Sequence, residues 1–518
     1  SISQFIFLIF NPILSIKITF FTMSLLGYIG MYLLLRKNFK FDRYIALLCA
    51  SLFLFNGFFV YRAIAGPLIS YVLVPLYCFF LIKSFENYQR KINYVYLVIS
   101  SIFFAHFFHS GSGPVILIIL TSITCVLLFY SQLIKNFKIF INFSLSLSIG
   151  ILISLSKITA VLFFFENFPR KYPPTEFHSL FSFFKNMFLS FFIKPDEKYF
   201  NDNLTSMFPF GLHEMEYGLS IVPLILLFSI FFLNKKIVKF EYFSLIIFVL
   251  LFIIFLIPVL LNINFFNQYE LIEKIPILKN NWVRFRWFSI YIIPIIFFSG
   301  IFIKNLKFGD SNKKKLAALM ILLLLIQNLI RDKSWHYNDL KYETKNLINF
   351  YEKLNKNNIP EIKGPAILMN ADGSPKHSDN KNDLFFISYS PLTCYQPIFG
   401  YGLEKLDARK IVFNHKRVFE DGSYVLYSSK FDKKDNNFSF FNPSCFIFPK
   451  ENNCLPGDTF KISEREKLSK FTSYNKFEFK QNKIQIISNF VSIFTFIVCL
   501  LYLIYSLIIY LFNLRKKY

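Results

Sequence analysis

Long apolar runs separated by short loops constrain this chain more than any other feature of its sequence. Runs of roughly twenty residues match the length of a helix that crosses a hydrocarbon core of about 30 Å. The run YFSLIIFVLLFIIFLIPVLLNI is apolar on all sides, whereas a helix in the core of a soluble protein keeps a polar stripe. The sequence therefore predicts a mainly α-helical polytopic membrane bundle with about eleven spans, near residues 13–35, 44–61, 67–82, 94–109, 114–134, 139–165, 219–234, 241–262, 287–303, 316–331 and 484–512.

The loops between the runs alternate in charge, and this alternation predicts the orientation of the chain. Basic loops stay on the cytoplasmic side of a membrane because they resist translocation and lie near anionic lipid headgroups. The net charge of +25 is spread over such loops, so we predict membrane lipids as partners and no nucleic acid. The predicted cytoplasmic segments are 36–43, 83–91, 135–138, 235–239, 304–315 and the C-terminal tail RKKY.

The same alternation places the first residue outside the membrane, in an apolar stretch without the basic start of a signal peptide. We therefore expect one further span before Ser1, which gives about twelve spans and a cytoplasmic N-terminus in the whole protein. The predicted domains are a transmembrane bundle over 1–331 with an outer loop at 166–218, an outer domain over 332–483, and a last span with a basic cytoplasmic tail over 484–518.

The segment 332–483 is the one sizeable polar segment, and its place between two spans predicts that it is extracytoplasmic. A helical pattern at its start is followed by short β-rich runs between Gly, Pro, Asn and Asp, which predicts a small α+β domain. Cys445 and Cys454 bracket a short loop in this segment. Two alternatives remain open for them: a local disulfide in an oxidising compartment, or two free thiols.

The outer loop 166–218 carries a Phe-rich stretch that is too short to span a membrane. We predict that residues 177–192 form a helix lying in the membrane interface, with Phe side chains facing lipid. Ionisable residues flank this helix, with Glu166 and Arg170 before it and Glu214 and Glu216 after it. These groups are candidates for chemistry at the outer surface.

Arg284 and Arg286 precede a span, next to Trp282 and Trp287. They either anchor that span at the headgroup level or bind a lipid-linked phosphate, because the guanidinium fork matches phosphate oxygens. Arg62 and His109 also fall at outer span ends, where a polar cap is the alternative to a functional role. The predicted topology places all of these residues on one side at similar depth, which favours a shared site.

Several sequence pieces, in a defined order, resemble one family. The pieces are GYIGMYLLLRK, YRAIAGPLISYVLVPL, HSGSG, FPRKY, HEMEYGLSIVPL, IPILKNNWVRFRW and, in the polar segment, CYQPIFGYGLE. Together they cover most of the chain and resemble multi-spanning glycosyltransferases of the GT-C fold, in particular YfhO-like bacterial membrane proteins.

The resemblance implies a multi-pass enzyme of the bacterial inner membrane that transfers a hexosyl or pentosyl group on the extracytoplasmic face. It implies a polyprenyl-phosphate sugar as donor and an envelope glycan or lipid as acceptor. Arg62, His109, Arg170, Arg284 and Arg286 would then bind the substrate. The usual catalytic acid of the family lies in the first outer loop, before Ser1, so Glu216, Glu166 and Glu214 are the remaining candidates, with Glu216 nearest the family pattern.

No cofactor is required by the sequence, although carboxylates in an outer loop would suit a divalent metal of unknown identity. Two other functions stay open, a transporter or flippase of lipid-linked sugars and a non-catalytic envelope assembly protein. A transporter should carry charged residues near the middle of its spans, whereas the ionisable groups here collect at the outer ends. This distribution of charge favours sugar transfer at the outer surface over transport of a lipid-linked sugar through the bundle.

Overall fold

The structure of the chain is a computed structural model. The residues that it describes are mostly helical. The chain divides into two compact units. The helical unit comprises Ser1–Phe164, Pro173–Arg331 and Gln481–Tyr518, and the second unit comprises Phe165–Tyr172 and Asp332–Lys480. The described residues are 2–59, 67–86, 92–110, 115–167, 175–205, 210–228, 242–265, 270, 274, 283–306, 308–330, 348–349, 352, 365–369, 372, 390–391, 415–418, 424–427, 439–441, 459–461 and 482–515.

The described part of the chain contains fifteen α-helices with continuous bounds, and most of them fall within the predicted apolar runs. Two of these helices are preceded by tighter 3-10 turns, Pro67–Leu73 before the helix that begins at Val74 and Arg284–Tyr291 before the helix that begins at Ile292. A π-helical turn, Leu34–Asn38, extends the helix that ends at Leu33. The helices are α1 Ile2–Ile9, α2 Pro12–Leu33, α3 Arg43–Leu54, α4 Val74–Glu86, α5 Ile92–His109, α6 Ile116–Ile134, α7 Ile139–Asn167, α8 Leu180–Phe192, α9 Glu197–Asp202, α10 Leu212–Met215, α11 Val222–Phe228, α12 Tyr242–Asn262, α13 Ile292–Asn305, α14 Asp310–Ile330 and α15 Lys483–Arg515.

Six helices in the described part are long and apolar enough to cross a membrane, which indicates a membrane protein. The other predicted spans are largely helical where they are described. After α3 ends at Leu54, residues 57–59 are helical again, and residues 60–61 of the predicted span lie outside the described part. The end of α3 coincides with a turn in which the Asn56 side chain accepts a hydrogen bond from the Phe59 N–H at 2.8 Å. The count of eleven spans stays a prediction. The six helices are Leu14–Asn38, Ile116–Ile134, Ile139–Phe163, Phe243–Asn262, Arg284–Asn305 and Lys483–Phe512.

Close helix contacts explain several small residues in the spans. A Cβ added at Gly30 of α2 would lie 2.6 Å from the Leu76 Cβ of α4, so only glycine permits this approach.

The last helix, α15, packs against α7 through polar groups. Thr159 and Ser488 place their hydroxyl oxygens 2.9 Å apart, and Gln485 donates to the Ser156 carbonyl at 3.0 Å. Such interhelical hydrogen bonds hold α15 in register within an otherwise apolar contact.

The helix ends that carry the basic segments contact one another. Asn38 donates to Glu86 at 3.1 Å, and Tyr130 donates to the same carboxylate at 3.3 Å. Lys313 donates to the Lys304 carbonyl at 2.8 Å. The basic ends of α2, α4, α6, α13 and α14 therefore form one end of the bundle, which is named the basic end below.

The opposite helix ends also meet one another. The Gly57 N–H, after α3, donates to the Tyr217 carbonyl at 2.9 Å, and the Tyr217 hydroxyl donates to the Phe285 carbonyl at 2.8 Å. The Phe177 N–H donates to the Asn262 carbonyl at the end of α12, at 2.8 Å. This second end of the bundle, named the loop end, contains the ionisable residues of interest.

The second unit contains short strands in its described residues. Four of them form a sheet in the order β2-β1-β4-β3, in which β1 pairs parallel with β2 and antiparallel with β4, and β3 pairs antiparallel with β4. Two further strands, β5 and β6, pair antiparallel. The strands are β1 Pro365–Met369, β2 Ser390–Pro391, β3 His415–Val418, β4 Tyr424–Tyr427, β5 Ser439–Phe441 and β6 Thr459–Lys461.

Candidate functional site

A buried arginine and a partly buried arginine pair with two carboxylates at the loop end. The Arg284 guanidinium lies 3.2 Å from the Glu176 carboxylate and 3.4 Å from the Leu261 carbonyl oxygen, and Arg284 is only 5% exposed. The Arg286 guanidinium binds both carboxylate oxygens of Glu214, with its Nε at 2.9 Å from Oε2 and its Nη2 on Oε1. Such charge-assisted pairs fix the planes of both guanidinium groups.

The 3-10 turn that begins at Arg284 explains why the two arginines sit together. Residues 284 and 286 flank Phe285, which is fully buried between Phe200 and Phe210 in edge-to-face contacts. The Asn262 side chain donates to the Arg284 carbonyl at 3.2 Å and thereby ties this turn to the end of α12. The aromatic packing therefore anchors the turn and holds both guanidinium groups at the loop end.

Glu216 is buried beside this turn, with 2% of its surface exposed. Its neighbour Tyr217 stacks on Phe58 at 5.5 Å and donates its hydroxyl hydrogen to Phe285. A Cβ added at Gly57 would lie 3.1 Å from the Glu216 Cγ and carbonyl oxygen, so the chain after α3 passes directly over this glutamate. A carboxylate is expensive to bury, so its burial beside the arginine turn makes Glu216 a candidate for a functional role.

The buried side of helix α8 combines polar and aromatic residues. A polar row of Ser182, Asn186 and Ser190 is buried beside Phe183 and Phe191, whereas Phe181, Phe184 and Phe188 are exposed. The Ser190 carbonyl accepts hydrogen bonds from the backbone N–H groups of Tyr217 and Gly218, at 3.1 and 2.8 Å, so this polar row adjoins the Glu216 segment. Within the described part of the chain, neither the Asn186 amide nor the Ser190 hydroxyl has a hydrogen-bond partner.

The structure brings together Glu214, Glu216, Arg284 and Arg286 of the predicted residues. His109 is the last residue of α5 and is half-buried. Glu166 lies in the last turn of α7, but its side chain is outside the described residues. Arg62, Arg170, Cys445 and Cys454 also lie outside them.

Glu176, Asn186 and Ser190 belong to this cluster but were not predicted from the sequence. The spacing of four residues between Ser182, Asn186 and Ser190 in a Phe-rich helix was the signal for the latter two, because it marks one helical face. No local pattern marks Glu176, whose partner Arg284 is 108 residues away along the chain. The described residues contain no group of three His, Cys, Asp or Glu side chains that would hold a metal ion, and the divalent metal stays a prediction.

The cluster of Glu176, Glu214, Glu216, Arg284 and Arg286, with the polar row of α8, is named the loop-end site. Comparisons with protein-family models, with curated proteins and with solved structures found no match for this chain.

Proposed function

We propose that the chain is an integral-membrane glycosyltransferase that moves a sugar from a polyprenyl-phosphate donor to an envelope glycan or lipid acceptor. The observation that carries this proposal is the burial of carboxylates and guanidinium groups together at the ends of apolar helices. Ionisable groups at that depth are expensive unless they serve a ligand or the chemistry. A lipid-linked phosphate, which enters sideways from the bilayer, meets protein at this level.

The proposal includes an orientation. The basic end and the C-terminal tail face the cytoplasm, and the loop end and the α+β domain over 332–483 face outside. Helix α8 lies in the outer interface, with Phe181 and Phe184 in contact with lipid, which their exposure supports. The protein is then a multi-pass component of the bacterial inner membrane.

The reaction requires two kinds of groups. The acceptor hydroxyl attacks the anomeric carbon of the sugar, the bond from that carbon to the phosphate oxygen breaks, and polyprenyl phosphate leaves with the bonding electron pair. A carboxylate takes the proton of the acceptor hydroxyl, and cations stabilise the negative charge that develops on the leaving phosphate. Glu216 is the candidate base among the described residues, and Arg284 and Arg286 are the candidate cations.

The carboxylates paired with Arg284 and Arg286 affect how a phosphate could bind to these arginines. A phosphate must join or displace Glu176 at Arg284 and Glu214 at Arg286, since each guanidinium already binds a carboxylate. Each guanidinium has five N–H donors in a fixed fork, so one arginine can bind a carboxylate and a phosphate oxygen at once. The ion pairs then serve to orient the arginines before the donor binds.

A transfer assay tests the proposal. The full chain, reconstituted in lipid vesicles, would receive a series of polyprenyl-phosphate sugars with a labelled sugar and an extract of envelope glycans and lipids. We expect transfer of label from one donor, and Arg286→Lys, which keeps the positive charge beside Glu214 but loses the planar fork, should lower the rate about tenfold while the folded protein is retained. The matched control is Lys198→Ala, an exposed cation of α9. Passage of an intact donor across the vesicle membrane without transfer would contradict the proposal and favour a flippase.

A further inference from the structure

A second group of cations lines a cavity at the basic end, far along the chain from the loop-end site. The cavity has a volume of about 180 Å³ and is open to solvent. This volume is well above the space that one water molecule requires. Four basic and two acidic side chains line it, together with Tyr44 and Ile45: Arg36, Arg43, Lys313, Lys314, Asp42 and Asp310.

The charges in this cavity are not neutralised by one another. Among the described residues, no ion pair joins any of the four cations to Asp42 or Asp310. Arg36 instead donates to the Phe41 carbonyl at 2.9 Å, and Lys313 donates to the Lys304 carbonyl at 2.8 Å. These neutral acceptors hold two side chains in place without removing their positive charge, so the cavity keeps an excess of cations.

Two helices also begin at the cavity. Residues 42–45 form the start of α3, and 310–314 form the first turn of α14. Asp42 occupies the N-cap position of α3, yet its side chain makes no capping hydrogen bond. The backbone N–H groups of both first turns add a partial positive charge to the four cations. Lys314 also lies 4.9 Å from the Tyr44 ring centroid, which positions its ammonium group over that ring at the cavity wall.

We propose that this cavity binds a phosphate group, either as free inorganic phosphate or as the phosphomonoester headgroup of a lipid. Guanidinium groups, ammonium groups and helix N-termini all recognise phosphate in proteins, and all three line or adjoin this cavity. Arg36 lies near the end of the candidate span Leu14–Asn38, and Lys313 contacts Lys304 at the end of the candidate span Arg284–Asn305. The cavity therefore lies at headgroup depth whichever way the chain is oriented. The site is independent of the proposed sugar transfer.

The basic segments would also attract anions weakly and without specificity through their net positive charge. Matched variants separate this non-specific attraction from binding in the cavity. Arg43→Gln with Lys314→Gln removes two charges from the cavity wall. Lys37→Gln with Lys315→Gln removes two charges from the same basic segments, at exposed positions outside the cavity. The purified full chain in detergent would be titrated with inorganic phosphate, and separately with phosphatidic acid and phosphatidylcholine, while bound ligands are counted by native mass spectrometry.

We expect one saturable phosphate-binding site. Its affinity should fall at least tenfold in the Arg43→Gln, Lys314→Gln double variant and less than twofold in the Lys37→Gln, Lys315→Gln double variant. Tighter binding of phosphatidic acid than of inorganic phosphate would identify the lipid as the source, and the reverse would identify free phosphate. Asp310→Asn removes a repelling charge and should tighten binding severalfold, which gives a readout if the double variant is not recovered folded. Equal losses in the two double variants, unchanged or weaker binding in Asp310→Asn, or no saturable binding would overturn the proposal.

Discussion

The arginines of the loop-end site combine a structural and a chemical role at the scale of single residues. Arg284 is buried and pairs with Glu176, so its removal leaves a carboxylate without its cation. Breaking a buried ion pair in this way commonly costs about 3–5 kcal/mol. A simple truncation therefore cannot distinguish a lost phosphate contact from lost stability.

A charge exchange separates the two roles of Arg284. Arg284→Glu alone should strongly destabilise the protein, because two carboxylates would face each other. Adding Glu176→Arg restores an ion pair with reversed polarity, so the thermal midpoint in detergent should recover while sugar transfer stays low. Recovery of both stability and transfer in the exchanged protein would show that Arg284 is only structural. Arg284→Lys, which keeps the charge but loses the fork, should remain folded and transfer more slowly.

The sequence could predict most charged residues of the loop-end site but not which of them pair with one another. Glu214, Glu216, Arg284 and Arg286 were predicted from charge near apolar runs, because ionisable groups are unfavourable there without a purpose. Their pairing was not predictable, since Arg286 and Glu214 lie 72 residues apart and meet only through the packing of the 3-10 turn. Glu176 was missed for the same reason.

Helix bounds were more predictable at the scale of elements. The runs predicted at 139–165, 241–262 and 484–512 correspond to helices Ile139–Asn167, Tyr242–Asn262 and Lys483–Arg515, because a long apolar run in a membrane must satisfy its backbone within itself. The predicted run 44–61 is interrupted after α3, where Asn56 caps a new helical turn at residues 57–59 through the Phe59 N–H, and residues 60–61 lie outside the described part of the chain. On α8, Phe184 is exposed whereas Phe183 and Phe191 are buried, so only part of the predicted Phe face is exposed, and its contact with lipid stays a prediction.

Asn186 gives a test of the polar row of α8. A fully buried amide without a partner among the described residues costs about 1–3 kcal/mol, so Asn186→Leu should leave the thermal midpoint unchanged or raise it. Transfer should fall at least tenfold if the amide contacts substrate beside Glu216. Phe184→Leu, on the exposed face of the same helix, serves as the control and should change neither quantity. Unaltered transfer in Asn186→Leu would remove α8 from the site.

At the scale of the whole molecule, two groups of charges lie at opposite ends of the same helices. Helix α3 begins at the phosphate cavity and is followed by Gly57, which contacts the Glu216 segment. The segment from Arg284 to Asn305 likewise runs from the loop-end site to Lys304 at the basic end. The proposed function requires that the loop end faces outside, where lipid-linked sugars are used, and that the basic end faces the cytoplasm.

Cysteine labelling in intact cells tests this orientation most directly. Single cysteines would replace Lys198 near the loop-end site, Ser374 in the polar segment and Ser311 at the basic end, in a chain whose Cys394, Cys445 and Cys454 are changed to Ser. The native cysteines of the spans, Cys49, Cys78, Cys125 and Cys499, are buried. A membrane-impermeant maleimide should label Lys198→Cys and Ser374→Cys in intact cells, and Ser311→Cys only after the cells are permeabilised. Labelling of Ser311→Cys in intact cells, with Lys198→Cys protected, would place the loop-end site in the cytoplasm and contradict the account.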